Sequence, residues 1–319
     1  MTAVGEAAAS PELTLRPATA DELDACADIW RLSINDYIGR LGQPEVPNEV
    51  APLLRLYRHL HGTDPERFVI AHDGERPVAF AAAAQRDHLW FLSMCFVLPH
   101  LQGSGLGRRL LEAAGPAPAT DTVRATATDS AQPISNALYA SLGIVPRMPL
   151  LNLIGLPTSV DAFGALPAGI RPVSFEEIAA DPSGEGHRRL EAAINALDQE
   201  LLGVTHPIDH RFLRMEGRHG WLYHAPDGAP IAYGYAGETG RVGPVASRDA
   251  DLVAPILGHL MTAVVPRGAF ALWLTGSADR AVVAALRSGM RLDQFPILLC
   301  WDRSFADFTR YLPISPGLL

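Results

Sequence analysis

Three glycines at alternate positions, Gly103, Gly105 and Gly107, form the stretch of the sequence best suited to chemistry. The apolar run Leu92–Leu98 before them predicts a strand, and the amphipathic pattern after them predicts a helix. Glycine lets a ligand approach the main chain closely, and the N–H groups at a helix N-terminus favour negative charge. The stretch therefore predicts a site for a phosphate or pyrophosphate.

The spacing distinguishes among the families that use such loops. A Walker loop needs a Lys after its last glycine, and a dinucleotide fingerprint needs a third glycine at that same position, where the chain has Arg108. A surface loop without a ligand is the plainer alternative. The pattern V-x-P-x-x-Q-x-x-G-x-G fits instead, and it resembles the acyl-coenzyme A motif of the GCN5-related N-acetyltransferase (GNAT) superfamily. Its residues are Val97, Pro99, Gln102, Gly105 and Gly107.

The resemblance implies an enzyme that transfers an acyl group from acetyl-CoA to a primary amine of a small molecule or a protein N-terminus. In the family, the strand before the loop pairs with the pantetheine arm, which assigns Cys95, Phe96 and Val97, with the Cys95 N–H nearest the thioester oxygen. We interpret the Cys95 thiol as a small core side chain, because no His or Asn partner for a nucleophile is evident. The loop main chain holds the pyrophosphate, which assigns Gln102, Gly103, Ser104, Gly105, Leu106, Gly107 and Arg108.

A tyrosine four residues before a glycine is the second feature that resembles the family. Tyr139 and Gly143 have this spacing, which implies that Tyr139 protonates the leaving thiolate. The alternative is a tyrosine that packs its ring and bonds its hydroxyl to the backbone. Asn136 faces the same side of the predicted helix and is assigned to the pantetheine amide. Many family members carry this Asn a turn earlier, where the chain has Gln132.

No residue is an evident general base. Some family members carry a Glu on the central strand, where this chain has Phe91, and we interpret Asp87 and His88 as surface turn residues. Water chains and the C-terminal carboxylate of Leu319 are the alternatives. In the family, the first two helices and their loop form the acceptor pocket. The candidate lining residues here are Trp30, Asn35, Asp36 and Tyr37.

Composition limits the class of protein. The 319 residues suffice for two domains, and 48% hydrophobic with 19% charged residues is typical of a globular chain. A net charge of −9 disfavours nucleic acid as a partner. Three scattered cysteines favour reduced thiols in a cytoplasmic protein, and no apolar run predicts a membrane span. We expect a monomer or homodimer.

The elements around the loop predict one domain over residues 12–155. A strand at 13–16 leads to a helix that starts with the capping pair Thr19 and Glu22. A later helix at 133–142 is predicted to be capped by Asp129-Ser130. The element order matches the GNAT fold, a mixed, mostly antiparallel sheet flanked by helices. The predicted class is α/β (mixed α+β).

The same signals return in the second half and predict a tandem repeat. Leu15–Leu23 recurs as Ile170–Ile178, and the hairpin Asp73–Phe80 recurs as Asp227–Tyr233. We predict a linker at 156–168 and a second, GNAT-like domain at 169–319. A tandem of this length resembles the mycothiol synthase group, but the intact loop is here in the first domain, so the activity of that group is not transferred.

The second copy lacks the features that bind the cofactor. Aligning Val245 with Val97 places Ala250–Pro255 where the first copy has its loop, and Ala285 where it has Tyr139. Acidic side chains there would repel a pyrophosphate. The sequence predicts a working N-acyltransferase with one cofactor site and a degenerate second domain. The alternative is an acyl-CoA-binding regulatory or interaction protein without turnover.

Overall fold

The structure is a computed structural model and describes residues 13–116, 121–293 and 295–319. These residues form two units. The first holds residues 13–84 and 92–116, and the second holds 85–91 together with the described residues from 121 onward. The predicted start of the first domain, Glu12, lies outside the described residues. Within those residues, no helix is both long and apolar enough to cross a bilayer.

The first unit is a sheet with helices packed on it. Its elements are β1 (Leu13–Pro17), α1 (Leu23–Arg40), α2 (Ala51–Thr63), β2 (Phe68–Asp73), α3 (Leu106–Ala113) and the greater part of β3 (Arg76–Arg86) and of β4 (Leu89–Val97). The strand order is β1-β2-β3-β4, with β1 and β3 each antiparallel to β2. Tyr57 of α2 lies 5.7 Å from Phe68 and 5.4 Å from Phe80, ring centroid to ring centroid, and these aromatic contacts fix α2 on the sheet.

The second unit contains most of the strands. Its elements are β5 (Val123–Asp129), α4 (Pro133–Ser141), β6 (Val145–Gly155), β7 (Arg171–Ser174), α5 (Phe175–Ala179), α6 (Glu185–Leu201), α7 (Pro207–Met215), β8 (Arg218–His224), β9 (Pro230–Gly237), β10 (Arg241–Ser247), α8 (Val253–Ala263), β11 (Phe270–Thr275), α9 (Asp279–Arg287), β12 (Arg291–Leu292), β13 (Ile297–Trp301) and β14 (Tyr311–Leu312). The strand order is β5-β13-β6-β11-β10-β9-β8-β7, and β14 pairs with β10. β10 and β11 pair in parallel, whereas β6 with β11, β13 with β5 and β6, and β8 with β9 are antiparallel, so the predicted mixed, mostly antiparallel sheet is confirmed.

Strands that are distant in sequence interleave in this unit. β13 lies between β5 and β6 and is antiparallel to both. The long β6 pairs with β13 along Val145–Leu150 and with β11 along Leu150–Gly155. β13, which lies near the end of the chain, thus fills the place between β5 and β6, which lie more than 140 residues earlier in the sequence.

The repeat is visible in local geometry. Glu22 accepts from the Thr19 N–H at 2.8 Å, and Glu177 accepts from the Ser174 N–H at 2.9 Å, so both halves begin with a capping box. Gly143 and Gly289, which follow corresponding helices, have φ of +81° and +89°. These left-handed positions end both helices in the same way.

The predicted cap of α4 is wrong. Gln132 is the N-cap, and its Oε1 accepts from the Ile134 N–H at 3.2 Å. Asp129 Oδ1 accepts instead from the Ala131 N–H at 2.9 Å, because that turn lies before the helix. The helix itself, Pro133–Ser141, lies close to its predicted span.

Candidate functional site

The glycine loop joins the end of β4 to the first turn of α3. A short 3-10 turn at Pro99–Leu101 follows β4, and the backbone is left-handed at Gly103 (φ +79°) and at Gly105 (φ +87°). Gly105 directly precedes α3. Residues with a Cβ are strained in this conformation, so the turn requires glycine at both positions. The side chains of Leu106 and Leu110 are buried and hold the helix in place.

Five consecutive backbone donors in this loop are unpaired. The N–H groups of residues 103–107 donate no hydrogen bond to any residue that the structure describes. A Cβ at Gly103 or at Gly105 would meet no atom within 4 Å, so the main chain at both glycines borders open space. Unpaired donors at the positive end of a helix, with room in front of them, form an anion site. This geometry fits a pyrophosphate, and the exposed Arg108 adds positive charge.

Two side chains brace the loop against the strand. Gln102 Nε2 and Ser33 Oγ each donate to the Val97 carbonyl at 3.0 Å. Both lone pairs of this oxygen are thereby used, so the Gln of the motif positions the loop through its side chain. Sequence reasoning missed Ser33, because a single serine on α1 carries no pattern that relates it to residue 97.

The strand residues before the loop are half-buried. Phe96 stacks on Phe80 with ring centroids 5.8 Å apart. Burial raises the pKa of the Cys95 thiol to about 12, so this group is a neutral thiol at physiological pH. A nucleophilic cysteine needs the thiolate, and Cys95 therefore does not act as one.

Asn136 and Tyr139 lie on α4 in the second unit. Tyr139 is 5% exposed. Asn136 Nδ2 donates to the Asp129 carbonyl at 3.0 Å and to the Gln132 carbonyl at 2.7 Å. Asn136 Oδ1 is buried and has no partner among the described residues. A buried acceptor is costly to leave unpaired, so this oxygen suits a ligand N–H such as an amide.

Asp87, Phe91 and the Leu319 side chain, which occupy positions considered for a general base, have structural roles. Asp87 Oδ2 accepts from the N–H of Thr205 at 2.9 Å and from its hydroxyl at 3.2 Å, within the second unit. Asp87 also has a φ of +48°, so its role as a turn residue accounts for it. Phe91 is a buried core residue. Leu319 is 6% exposed, so its side chain anchors the end of the chain.

The predicted acceptor residues share one half-exposed stretch of α1 in the first unit. Trp30, Asn35, Asp36 and Tyr37 are all of intermediate exposure. Asn35 Oδ1 accepts from the Val46 N–H at 3.0 Å, which ties the loop after α1 to the helix. Asp36 forms an ion pair with Arg40. These contacts order the stretch, in which the rings of Trp30 and Tyr37 are half-exposed.

At the matching junction in the second half, a side-chain carboxylate caps the turn. Asp249 Oδ1 accepts from the Asp251 N–H at 2.9 Å at the start of the short turn Ala250–Leu252, which runs directly into α8. Pro255 removes a further donor from the first turn of α8. A carboxylate of the chain therefore occupies the position where an anion would bind.

The strand at this second junction is also covered. β10 has a register shift between Val242 and Val245, after which β14 pairs with it at Val245 and Ala246. The Ser247 N–H donates to the Arg310 carbonyl at 3.0 Å and continues this pairing. The final residues Ile314, Leu318 and Leu319 are buried. The backbone edge that corresponds to Val97 is thus filled by the C-terminal segment of the same chain.

Comparison with known families and structures bears on both halves. Residues 28–144 match the model of the acetyltransferase (GNAT) family. A protein from Pyrococcus horikoshii, assigned to the acetyltransferases by inference, aligns over 100% of both chains with a TM-score of 0.71 and 12% identity. A GCN5-related N-acetyltransferase from Sphaerobacter thermophilus aligns over 93% of this chain and 98% of its own, with a TM-score of 0.59 and 17% identity.

A tandem GNAT protein from the clavulanic acid biosynthesis pathway aligns over 92% of this chain and 99% of its own, with a TM-score of 0.53 and 16% identity. Comparison with curated protein sequences gives no match. At these identities the likeness is one of fold, and it extends over both halves of the chain.

Proposed function

Residues 28–144 are a domain of the acetyltransferase (GNAT) family within a tandem GNAT fold, and on this premise we propose that the chain transfers an acetyl group from acetyl-CoA to a primary amine. Family membership supports acyl transfer from an acyl-CoA. The observation that carries the proposal is the row of unpaired N–H groups at residues 103–107, with open space before Gly103 and Gly105. The acceptor in this proposal is a small molecule or a protein N-terminus.

Each residue has a limited task in the proposed reaction. The loop main chain holds the pyrophosphate, and the strand residues Cys95, Phe96 and Val97 align the pantetheine arm beside their backbone. The amine nitrogen forms the new C–N bond as the C–S bond breaks, and it gives up its proton to water or another base. Tyr139 donates a proton to the leaving thiolate, while Asn136 Oδ1 accepts from a pantetheine amide.

The test of the cofactor site is a pair of matched substitutions. Gly105→Glu is expected to abolish acetyl-CoA binding in calorimetry, because it fills the phosphate space and adds a negative charge. Gly74→Glu is the control. Gly74 also has a positive φ, of +59°, and open space around its Cβ position, so the two variants share backbone strain and charge.

Gly74→Glu is expected to bind acetyl-CoA like the wild type. Circular dichroism on both variants checks that each is folded. Wild-type affinity in folded Gly105→Glu would show that the glycine loop is not the cofactor site.

The second candidate function is acyl-CoA binding without turnover. The observation that favours it is Phe91, which is apolar and 3% exposed where some family members carry a Glu. A thiol-release assay with acetyl-CoA and a panel of amines separates the two functions. Release that depends on an amine supports the transferase, and binding without release supports the regulatory protein.

A further inference from the structure

A cluster of buried polar side chains lies inside the second unit. Asp198 on α6 is fully buried, and His206 and His210, at the start of α7, are 1% and 2% exposed. One ligand atom from each lies within 4.8 Å of the other two. The two histidines have the spacing His-x3-His: His206 directly precedes α7 and His210 lies in its first turn, with ring centroids 4.4 Å apart. The proposed acyl transfer uses none of these residues.

The contacts of His206 are too long for ordinary hydrogen bonds. Its Nε2 lies 3.4 Å from Asp198 Oδ2 and 3.4 Å from Tyr311 Oη. Its Nδ1 lies 3.6 Å from Asp209 Oδ2 and has no hydrogen bond to any residue in the described ranges. N–H···O bonds normally measure about 2.7–3.2 Å, so a fully buried imidazole here lacks a close partner at either nitrogen.

These distances match those between neighbouring ligands of one metal ion. With bonds of about 2.0–2.1 Å, ligand atoms at adjacent corners of a tetrahedron lie about 3.3 Å apart. Both 3.4 Å contacts of His206 Nε2 have this length. The contact between His210 Nε2 and Asp198 Oδ2 is 2.8 Å and would widen by about half an ångström on coordination.

Asp198 and His210 also have outer hydrogen-bond partners, and a carboxylate lies 3.6 Å from the outer nitrogen of His206. Tyr235 Oη lies 2.9 Å from His210 Nδ1, and Tyr233 Oη donates to Asp198 Oδ1 at 2.5 Å. Asp209, which faces His206 Nδ1, accepts from Arg86 at 2.7 and 2.8 Å. Metal-bound histidines normally donate their second ring N–H to such a group, which fixes the tautomer and the ring orientation.

We propose that Asp198, His206 and His210 bind one zinc ion, with the hydroxyl of Tyr311 as the fourth ligand. Two neutral imidazoles and a carboxylate are a donor set that suits Zn²⁺. The ion joins α6, α7 and β14, and its burial makes it a structural ion rather than a catalytic one. The competing arrangement is a hydrogen-bonded cluster in which His206 carries a proton in place of the metal.

The full-length chain provides the test. It is treated with a chelator, equilibrated with Zn²⁺, separated from free metal and measured by inductively coupled plasma mass spectrometry. We expect about one zinc per chain and a thermal midpoint that falls when chelator is added, because a ligand that binds only the folded chain stabilises it. Substitution with Co²⁺ is expected to give the visible absorption bands of a tetrahedral site.

Two variants locate the ion. Asp198→Asn and His206→Gln each remove a ligand, and both are expected to weaken zinc binding by at least about tenfold. His187→Gln is the control, since His187 is an exposed histidine on α6 outside the cluster, and it keeps about one zinc per chain. A folded wild-type chain that retains less than about 0.1 zinc, with no change of thermal midpoint, would overturn the proposal in favour of the protonated cluster.

Discussion

The two strand-to-helix junctions of the repeat differ in two respects. One is whether a side chain of the protein caps the N–H groups of the turn, and the other is whether another strand pairs with the strand before the turn. After Val97, the N–H groups of residues 103–107 have no partner among the described residues, and the main chain at Gly103 and Gly105 borders open space. After Val245, Asp249 caps the turn and β14 pairs with the strand. The chain supplies to its second junction what a ligand would supply to the first. Under the proposed function, the second copy therefore places its own residues where the first copy binds a cofactor.

The number of cofactors bound per chain is the most direct test of this difference between the junctions. We expect one acetyl-CoA per chain in native mass spectrometry at saturation, because at the second junction the Asp249 carboxylate caps the turn and β14 pairs with the strand. The same measurement on Gly105→Glu is expected to give none. A second bound cofactor in the wild type, or one retained by this variant, would contradict the difference between the junctions.

Removal of the second half is expected to disrupt the first. In a chain that ends at Pro157, β5 and β6 lose β13, and β6 also loses β11. Unpaired strand edges favour aggregation, so we expect an insoluble or aggregated product by size-exclusion chromatography. Co-expression of residues 158–319 is the control and is expected to restore solubility. A soluble, monomeric and active truncated chain would show that the interleaved strands are dispensable.

Removing the hydroxyl of Tyr139 tests whether this residue, which is matched by Ala285 in the second half, acts in catalysis. Tyr139→Phe is expected to lower kcat by roughly ten- to a thousandfold, the range for losing a general acid, with little change in acetyl-CoA affinity. Steady-state kinetics and calorimetry measure the two effects separately. Ala285→Ser, at the matching position of the second half, is the control and leaves kcat unchanged. A kcat equal to that of the wild type in Tyr139→Phe would show that Tyr139 is a packing residue and not the general acid.

The smallest expected effect concerns the two capping boxes. The Arg16 guanidinium, which donates to Glu22 at 2.7 and 2.8 Å, holds the pKa of that carboxyl at about 2. Glu177 lacks such a bidentate partner among the described residues. Glu22→Gln is expected to lower the free energy of unfolding at pH 7 by about 1 kcal/mol, because screening near the surface limits the effect.

The direction of the pKa shift of Glu22 determines how its contribution to the free energy of unfolding changes with pH. The folded-state pKa of Glu22 lies below its ordinary value of 4.5, so its contribution is full above that pH and is lost as the pH falls toward 2. Urea denaturation at several pH values should show wild type and Glu22→Gln converging in that window. Glu177→Gln is the control with the smaller loss at pH 7. An equal loss of unfolding free energy in Glu22→Gln and Glu177→Gln would show that Arg16 does not contribute.

Local chemistry made the loop and the repeat predictable. The glycine spacing, the capping pairs and the helix-ending glycines depend on a few neighbouring residues, and the structure has them where the sequence indicates. The cap of α4 was mispredicted because Asp129 and Gln132 are both able to cap, and only the exact helix start decides between them.

Pairings between distant segments could not be predicted. Nothing in Ile297–Trp301 specifies that it lies between β5 and β6, since a short apolar strand fits many edges. Ser33 and the Asp198, His206 and His210 cluster depend on the packing of separate elements. The His-x3-His spacing was the one available signal for that cluster, and alone it is common in helices.

The place of β13 also bears on how the chain folds during synthesis. Ile297 pairs with Asp129, so β5 leaves the ribosome about 170 residues before its partner, roughly 10–30 s at ordinary elongation rates. During that interval the N-terminal half cannot close its sheet, and domain-by-domain folding is barred. The nascent chain therefore has an exposed strand edge that needs protection until Ile297–Trp301 has left the ribosome.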